Sequence, residues 1–570
     1  MFKDLTLRFG PDGAASELAI DVKSMTVFVG PNNSGKSLVL REIQQYAEQG
    51  KPAGRKIVEH LTVAFPDPEA ANALLESRRV SLPPGQYLQE HHVRLARTLP
   101  GSGSMAQLDV NLPHLLNQLR RPWEQQAQGQ VHPKANVWNG VFQQFVSLFT
   151  IALDGRTRFA LTEPRPAGDL QLAPQNHLAA LFINDTARAR VRGITNDAFG
   201  LHFVIDPTNL GNLRIRMSSR APADSSEEQA FDQRARSFHA AATDIEELSD
   251  GIKAFTGLVS ALISSDFRVV LVDEPEAFLH PPLARKLGAT MASLATERTA
   301  NVFTSTHSAH FLMGCVESGT KTNIVRLTYT EGKPTARHLS DTRLTELMRD
   351  PLLRSTGVLN ALFHAAAVVC EADRDRAFYE EINTRLAAGK RPAVQDGIFL
   401  NAQNKQTVRR IVQPLREMGI PAAAVVDIDI IKGTDLRDLL GACSVPDALV
   451  QSVTTLRGNI EARFKELALD MKKGGVNVLR GGDKEALESL ISQLATYGIF
   501  VVPIGEVESW LQSLGVVAAK DSWLTAIFER MRSDPLEQDY VRPQPGDVWD
   551  FVSRIAAWTH APARKGMPVV

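Results

Sequence analysis

At 570 residues the chain exceeds what one hydrophobic core supports, and two or three domains are expected. A net charge of −1 excludes a globally basic nucleic-acid-binding surface, so DNA or RNA would have to bind at a local patch. Hydrophobic residues make up 44% and charged residues 22%, values ordinary for a soluble globular protein. Cys315, Cys370 and Cys443 lie far apart with no C-x-x-C pair, which argues against a disulfide framework or zinc ribbon and fits a reducing cytosol. No apolar run is long enough to span a bilayer and MFKDLTLRFG lacks a signal-peptide pattern, so the expectation is a cytoplasmic protein with no membrane contact.

The first 50 residues read as strand, turn, strand, then MTVFVG, a loop and a helix over about 35–48, the opening of a parallel α/β core. From 51 to about 240, Pro/Gly/Gln-rich pieces alternate with the strand candidates FTIALDG, RFALTEP and LRIRMS, predicting an inserted lobe of helices and antiparallel strands. A helix over 242–264, the buried strand RVVLVDEP, a helix over about 282–296 and the strand NVFTSTHS follow. IVRLTYTEGKPTARHL reads as a hairpin and 342–353 as an amphipathic helix. A second α/β segment opens with AAAVVCEADRD and a helix to about 386, then a helix over 406–418, the strand AAAVVDIDI and GIFVVPIGEVESWL. The tail from about 522 is helical.

Gly30, Pro31, Asn32, Asn33, Ser34, Gly35, Lys36 and Ser37 match G-x-x-x-x-G-K-[S/T] between an apolar strand and a helix. In such a loop backbone N–H groups wrap phosphates, Lys36 reaches the β/γ oxygens of ATP and Ser37 ligates Mg²⁺. The run Val269–Glu274 supplies the partner: Asp273 to hold Mg²⁺ and Glu274 to polarise the attacking water, an acid that argues for hydrolysis over mere binding. Leu248-Ser249-Asp250-Gly251 precedes a helix, and Thr306-His307-Ser308 ends the next strand. With DEPEAFLHP over 273–281, these segments resemble ABC-type ATPases of the SMC/RecF-like branch. The resemblance implies that Ser249 and Gly251 of a second protomer cap ATP across a dimer and that His307 senses the γ-phosphate. The segment departs from L-S-G-G-Q at Asp250 and Ile252, and no glutamine is assigned to the Q-loop.

Glu371, Asp373 and Asp375 follow one apolar strand, Asp427 and Asp429 end another, and Glu506 and Glu508 end a third. Strand carboxyl ends gather on one edge of a parallel sheet, so several carboxylates converge there. Converging acids repel unless hard cations neutralise them, and oxygen-rich sites suit Mg²⁺ or Mn²⁺. Two such ions about 4 Å apart are the usual device for in-line phosphodiester hydrolysis. On a strand, Asp427 and Asp429 would share one face. Lys405, Arg409, Arg410 and Arg416 lie on one predicted helix, Lys432 follows the Asp pair, and Arg564 and Lys565 lie in the tail; these could hold a phosphate backbone or be a solvated face. His91, His92 and His280 read as structural, and Trp123, Trp138 and Trp510 as core.

The spacing Glu371…Asp375…Asp427-x-Asp429 resembles the TOPRIM domain of topoisomerases, primases and some nucleases, with Ala372 where that pattern has glycine. An ABC-type ATPase followed by such a segment is similar to the OLD (overcoming lysogenization defect) family. The implied architecture is an ATPase domain over 1–360 with an insertion at about 51–240, then a Rossmann-like TOPRIM domain with a helical extension over 361–570. The resemblance implies an ATP-regulated, metal-dependent DNA endonuclease or nickase in anti-phage defence or DNA processing, forming a homodimer or larger assembly, with a partner protein encoded nearby as one option. It implies Glu371, Asp375, Asp427, Asp429 and Glu508 as ligands of two divalent cations, and Lys405 and Lys565 as phosphate-neutralising residues. The alternative is an ATP-gated, RecF-like DNA-binding or sensor protein without nuclease activity. A topoisomerase or primase would need a DNA-gate domain with a tyrosine nucleophile, which no region resembles.

Overall fold

A computed structural model of the chain describes residues 1–50, 52–82, 85–98, 105–128, 141, 144–155, 157–171, 174, 176–264, 267–339 and 357–568. They divide into two compact units, residues 1–29 with 33–345 and residues 346–570 with 30–32. The expected helix over 342–353 and Trp138 lie outside the described residues.

In the first unit, β1 (Phe2–Leu7) pairs antiparallel with β2 (Leu18–Asp21) and with β4 (Val58–Val63). The main sheet contains β3 (Met25–Val29), β5 (Thr150–Leu153), β6 (Val269–Asp273), β7 (Asn301–Ser305), β8 (Thr322–Thr330) and β9 (Lys333–Leu339). Their order is β9–β8–β3–β7–β6–β5, all parallel except the β8–β9 hairpin. β3 and β7 are buried at every residue, as strands covered on both faces must be. Helix α1 (Lys36–Gln49) follows β3 after the glycine-rich loop. A β-carbon added at Gly314 of helix Ala309–Glu317 would stand 1.9 Å from the Arg285 carbonyl oxygen of α4 (Pro281–Glu297), so the two helices meet backbone to backbone.

The inserted region and the segment after it depart from expectation in three places. FTIALDG is not part of an antiparallel lobe: Thr150–Leu153 is β5, which joins the main sheet parallel to β6 as its edge. RFALTEP is not a strand, because Asp154 Oδ1 accepts from the Thr157 N–H at 2.9 Å and starts the short helix α2 (Thr157–Ala160). The helix expected over 242–264 is α3 (Asp250–Ser264); upstream, Thr243–Asp244 pairs with Arg216–Met217, and the Asp244 side chain caps a single tight turn. LRIRMS does form an antiparallel strand, Asn212–Ser218, paired with His202–Asp206.

In the second unit, β10 (Ala366–Cys370), β11 (Gly397–Asn401), β12 (Ala422–Val426) and β13 (Ile499–Val501) form a parallel sheet in the order β11–β10–β12–β13. Helices α5 (Asp373–Ala388) and α6 (Lys405–Glu417) follow β10 and β11. The tail forms α7 (Lys520–Met531) and α8 (Asp547–His560), whose Trp549, Phe551 and Ile555 enter the core with Tyr379 and Trp510. Arg416 is not part of a phosphate-binding face. It is 1% exposed, its guanidinium donates to the carbonyls of Ala422, Tyr497, Gly498 and Gly566, and it stacks on Trp558.

Asp427 and Asp429 do not share a strand face. β12 ends at Val426, and residues Ile428–Ile431 form a tight turn in which the Ile430 N–H donates to the Asp427 carbonyl at 3.1 Å. The turn, not the pleat, brings the two carboxylates together. β13 likewise ends at Val501, well before Glu506 and Glu508, which a returning loop delivers to the same edge.

Candidate active sites

In the first unit, Phe28 of β3 is in register with Ser305 of β7, and Ser305 with Asp273 of β6. Residues following these strands therefore meet at one edge. The loop before α1 turns sharply, with φ of 142° at Gly30, 60° at Asn33 and 96° at Gly35. A β-carbon at Gly35 would also stand 2.7 Å from Ile57 Cδ1, a side-chain end that can move, so the left-handed φ is what calls for glycine here. Ser34 and Lys36 are buried, with Lys36 Nζ 3.5 Å from Ser34 Oγ. Ser37 Oγ donates to Asp273 Oδ1 at 3.1 Å, and Ser305 Oγ donates to the same oxygen. Ser37 and Asp273 line a cleft of about 510 Å³ with Asp154 and Thr157. One hydroxyl and one carboxylate, both hard oxygen donors, form a pair that fits Mg²⁺ beside a nucleotide.

Glu274 sits just past β6 with φ of 49°, a left-handed conformation that costs a side-chain-bearing residue of order 1–3 kcal/mol. The Ala277 N–H donates to its carbonyl at 3.0 Å, and three longer-range contacts hold it there as well. Its N–H donates to the Ser305 carbonyl at 3.0 Å, its carbonyl accepts from Arg158 Nη1 at 2.7 Å, and its carboxylate lies 3.5 Å from His307 Nε2. Behind it, Glu276 accepts from the His307 N–H at 2.7 Å and from Thr306 Oγ1 at 2.8 Å. Burial raises the Glu276 pKa against these bonds. Ser249 and Asp250 are exposed at the start of α3, and with Gly251, Phe278 and His280 they line a separate cleft of about 420 Å³. A β-carbon at Gly251 would meet the Phe278 carbonyl oxygen at 2.9 Å.

In the second unit, one oxygen each from Glu371, Asp427 and Asp429 lies within 4.8 Å of the others. Glu371 Oε1 also accepts from the Asp427 N–H at 2.9 Å, fixing the first carboxylate to the second strand end. Asp375 is buried in the first turn of α5 and accepts from the Ala372 N–H at 3.1 Å. Burial, and after it the Asp427 charge, pushes Glu371 up to about 8. Burial and then Asp375 push Asp427 up to about 7, and burial pushes Asp375 up to about 6. Asp429 Oδ1 and both Glu508 carboxylate oxygens are buried without a hydrogen-bond partner, though Arg374 Nη1 stands 3.3 Å from Glu508. Crowded carboxylates with unpartnered oxygens fit a hard divalent cation.

Residues 163–313, which include Asp273, Glu274 and His307, match a family described as "AAA domain, putative AbiEii toxin, Type IV TA system". The strands leading to the phosphate loop, the acid pair and the histidine lie side by side in one parallel sheet, in the order β3–β7–β6. Residues 163–313 are thus similar to an AAA-type ATPase domain. Solved structures similar to it include a Smc head bound to the C-winged helix domain of ScpA, 13% identical over 60% of this chain and 99% of that one, at a TM-score of 0.33. The SMC head domain from Thermotoga maritima is 15% identical over 60% of this chain and 99% of that one, at a TM-score of 0.28. The ADP conformation of MJ1267, an ATP-binding cassette of an ABC transporter, is 11% identical over 62% and 98%, at 0.24. No curated protein matches the chain. Among the described residues, no helix is long and apolar enough to cross a membrane.

Outside the ATPase domain, Lys405 joins the acidic edge, with Nζ 3.5 Å from Asp429 Oδ2 and 3.7 Å from Asp435 Oδ2. Lys565 does not. It is exposed, with Nζ 5.8 Å from the ring centre of Tyr497, which precedes β13, whereas the acids follow the strands at their other ends. Lys472, which the motifs miss, stands in the cluster with Nζ 3.2 Å from Asp429 Oδ2, 3.7 Å from Asp427 Oδ2 and 3.8 Å from Glu506 Oε2. A close backbone approach fixes it: a β-carbon at Gly505 would stand 2.2 Å from the Lys472 carbonyl oxygen, and one at Gly475 would stand 2.0 Å from the Pro503 carbonyl oxygen. The Lys-Lys-Gly-Gly run at 472–475 was the available signal, because paired glycines mark such approaches. Lys520 pairs with Glu506 at 2.5 Å, and Asp373 is a surface partner of Arg376. His280 is exposed at the signature cleft and is not a buried structural residue.

Proposed function

We propose that the ATPase domain, over 1–360, controls a divalent-metal-dependent DNA endonuclease or nickase domain of TOPRIM type over 361–570, as in the OLD family. The convergence of Glu371, Asp427 and Asp429 within 4.8 Å, beside buried Asp375, carries this reading. Asp375 and Glu508 complete the oxygen donors for one or two cations, Mg²⁺ or Mn²⁺. Bound there, such cations would supply Lewis-acid activation of water and stabilisation of the leaving oxygen. Lys405 and Lys472 hold positive charge where a backbone phosphate would lie, and the acids orient it.

At the ATPase edge, the loop Gly30–Ser37, through Asn32, Asn33, Ser34, Gly35 and Lys36, cradles the ATP phosphates, Ser37 and Asp273 would hold Mg²⁺, and Glu274 takes a proton from water with His307 beside it. Ser249, exposed, and Gly251, half-buried, line their own cleft and would cap the nucleotide of a second copy in a homodimer. The test is plasmid DNA with Mg²⁺ or Mn²⁺ and full-length protein, against Asp427→Ala. Nicking by the parent and its loss by about 10³-fold in the variant is expected for removal of a group acting in the transition state. Equal nicking by both proteins removes Asp427 from the reaction.

A second reading, an ATP-gated DNA-binding protein of RecF-like type, has one observation in its favour. Lys472 already places a protein cation among three of the acids. DNA-stimulated ATP hydrolysis with no cleavage under any divalent ion would select it.

A further inference from the structure

Arg158 is the largest polar side chain buried beside the ATPase edge, at 1% exposure, and no motif of the nucleotide machinery includes it. Its guanidinium spans two segments. Nη1 donates to the Glu274 carbonyl at 2.7 Å and Nη2 reaches the Asp273 carbonyl at 3.4 Å. Nε donates to the Asp154 carbonyl at 3.3 Å, at the carboxyl end of β5. Asp154 in turn lines the cleft that holds Ser37 and Asp273. The arginine is seated from behind by α3, where a β-carbon at Gly257 would stand 2.9 Å from the Arg158 carbonyl oxygen. It thus contacts the backbone carbonyls of both acids. Burial lowers its pKa and the charges of Glu276, Glu274 and Asp273 raise it; a guanidinium keeps its proton in such a setting.

We propose that Arg158 is a positioning residue for ATP hydrolysis: its fork locks the Asp273–Glu274 backbone, and with it the left-handed turn at Glu274, in the one orientation that aims the Glu274 carboxylate at the attacking water. The inference rests on the assignment of Glu274 as the proton acceptor. One planar fork bridges both carbonyls from two separate nitrogens, beside the Ala277 N–H that also donates to the Glu274 carbonyl at 3.0 Å, whereas a lysine presents all its donors from a single nitrogen. Nucleotide affinity comes from the phosphate loop, which Arg158 does not touch, so ground-state binding is independent of it. Loss of orientation is therefore read in turnover and not in affinity.

The test uses the full chain with Arg158→Lys, Arg158→Met and Glu274→Gln, measuring kcat and KM for ATP, binding of a fluorescent ATP analogue, and thermal melting. Arg158→Met is expected to lower kcat about 10-fold or more with KM and analogue affinity within about 2-fold, the loss typical of a misaligned catalytic group. Arg158→Lys, retaining the charge and one donor nitrogen in place of the fork, is expected to fall between Met and the parent. Unchanged kcat in both variants overturns the proposal, as does a joint fall of kcat, analogue affinity and melting temperature in the Lys variant, which marks a structural strut only. Glu274→Gln separates the two layers: if it turns over ATP normally, the underlying assignment fails, whereas if it is inactive and the Arg158 variants are normal, only the positioning role fails.

Discussion

The two units solve opposite electrostatic problems at the same place in a parallel sheet. At the edge of the first, donors outnumber the acids they serve: Asp273 accepts from Ser37 and Ser305, and Glu276 accepts from Thr306 and His307. At the edge of the second, carboxylates crowd one another, with Glu371 lifted to about 8 and Asp427 to about 7. Donor-rich edges with N–H groups and a lysine suit an anion such as a nucleotide phosphate. Edges short of donors suit a cation. The same topology therefore produces complementary sites through the residues that follow each strand, and not through the strands themselves.

The largest expected effect tests the donor-rich edge. Glu274→Gln, isosteric but unable to take a proton, should lower kcat for ATP about 10²-fold or more, the usual contribution of a general base, with nucleotide binding retained. A steady-state ATPase assay reads it. Next in size is a contrast in what buried arginines do. Arg416→Met would remove the arginine's donors from the carbonyls of Ala422, Tyr497 and Gly566, while Gly498 keeps the Ala424 N–H. At about 1–3 kcal/mol for each buried acceptor left unmatched, partly relieved by water, a net loss of about 3 kcal/mol or more is expected in denaturant unfolding of the second unit.

The smallest effect is a pH dependence at the acidic edge. Asp375, Asp427 and Glu371 have folded-state pKa values of about 6, 7 and 8, above their ordinary values of 3.8, 3.8 and 4.5. The folded state therefore binds more protons than the unfolded state between those limits, so without cation its stability falls as pH rises from about 4 to about 8. Mn²⁺ competes with those protons. Melting curves should show a Mn²⁺-induced stabilisation that grows from pH 6 to pH 8; a stabilisation independent of pH would place the ion elsewhere.

Much of this was legible in the sequence where apolar runs meet glycines or acids. GPNNSGKS, VVLVDE and the hairpin at 324–339 lie where their patterns put them, because each combines a largely apolar strand with a turn that only certain residues can make. FTIALDG was misplaced because a short apolar run pairs equally well in a parallel or an antiparallel sheet, and only the tertiary neighbour β6 decides. The Asp427–Asp429 pair was found for the wrong local reason, since the tight turn after Val426 replaces the strand. Arg416 looked like a surface cation because charge in a sequence does not reveal how many carbonyls await it. Arg158 and Lys472 lay in no motif, since each acts through backbone contacts or close approaches set by distant segments.

The claim that the second unit's acids form a cation site is tested most directly by titrating Mn²⁺ calorimetrically into nucleotide-free full-length protein at pH 8, parent against Asp427→Ala. The account predicts saturable binding to the parent with proton release, and loss or strong weakening of that binding in the variant. Equal binding by the two proteins, or none by the parent, would contradict it.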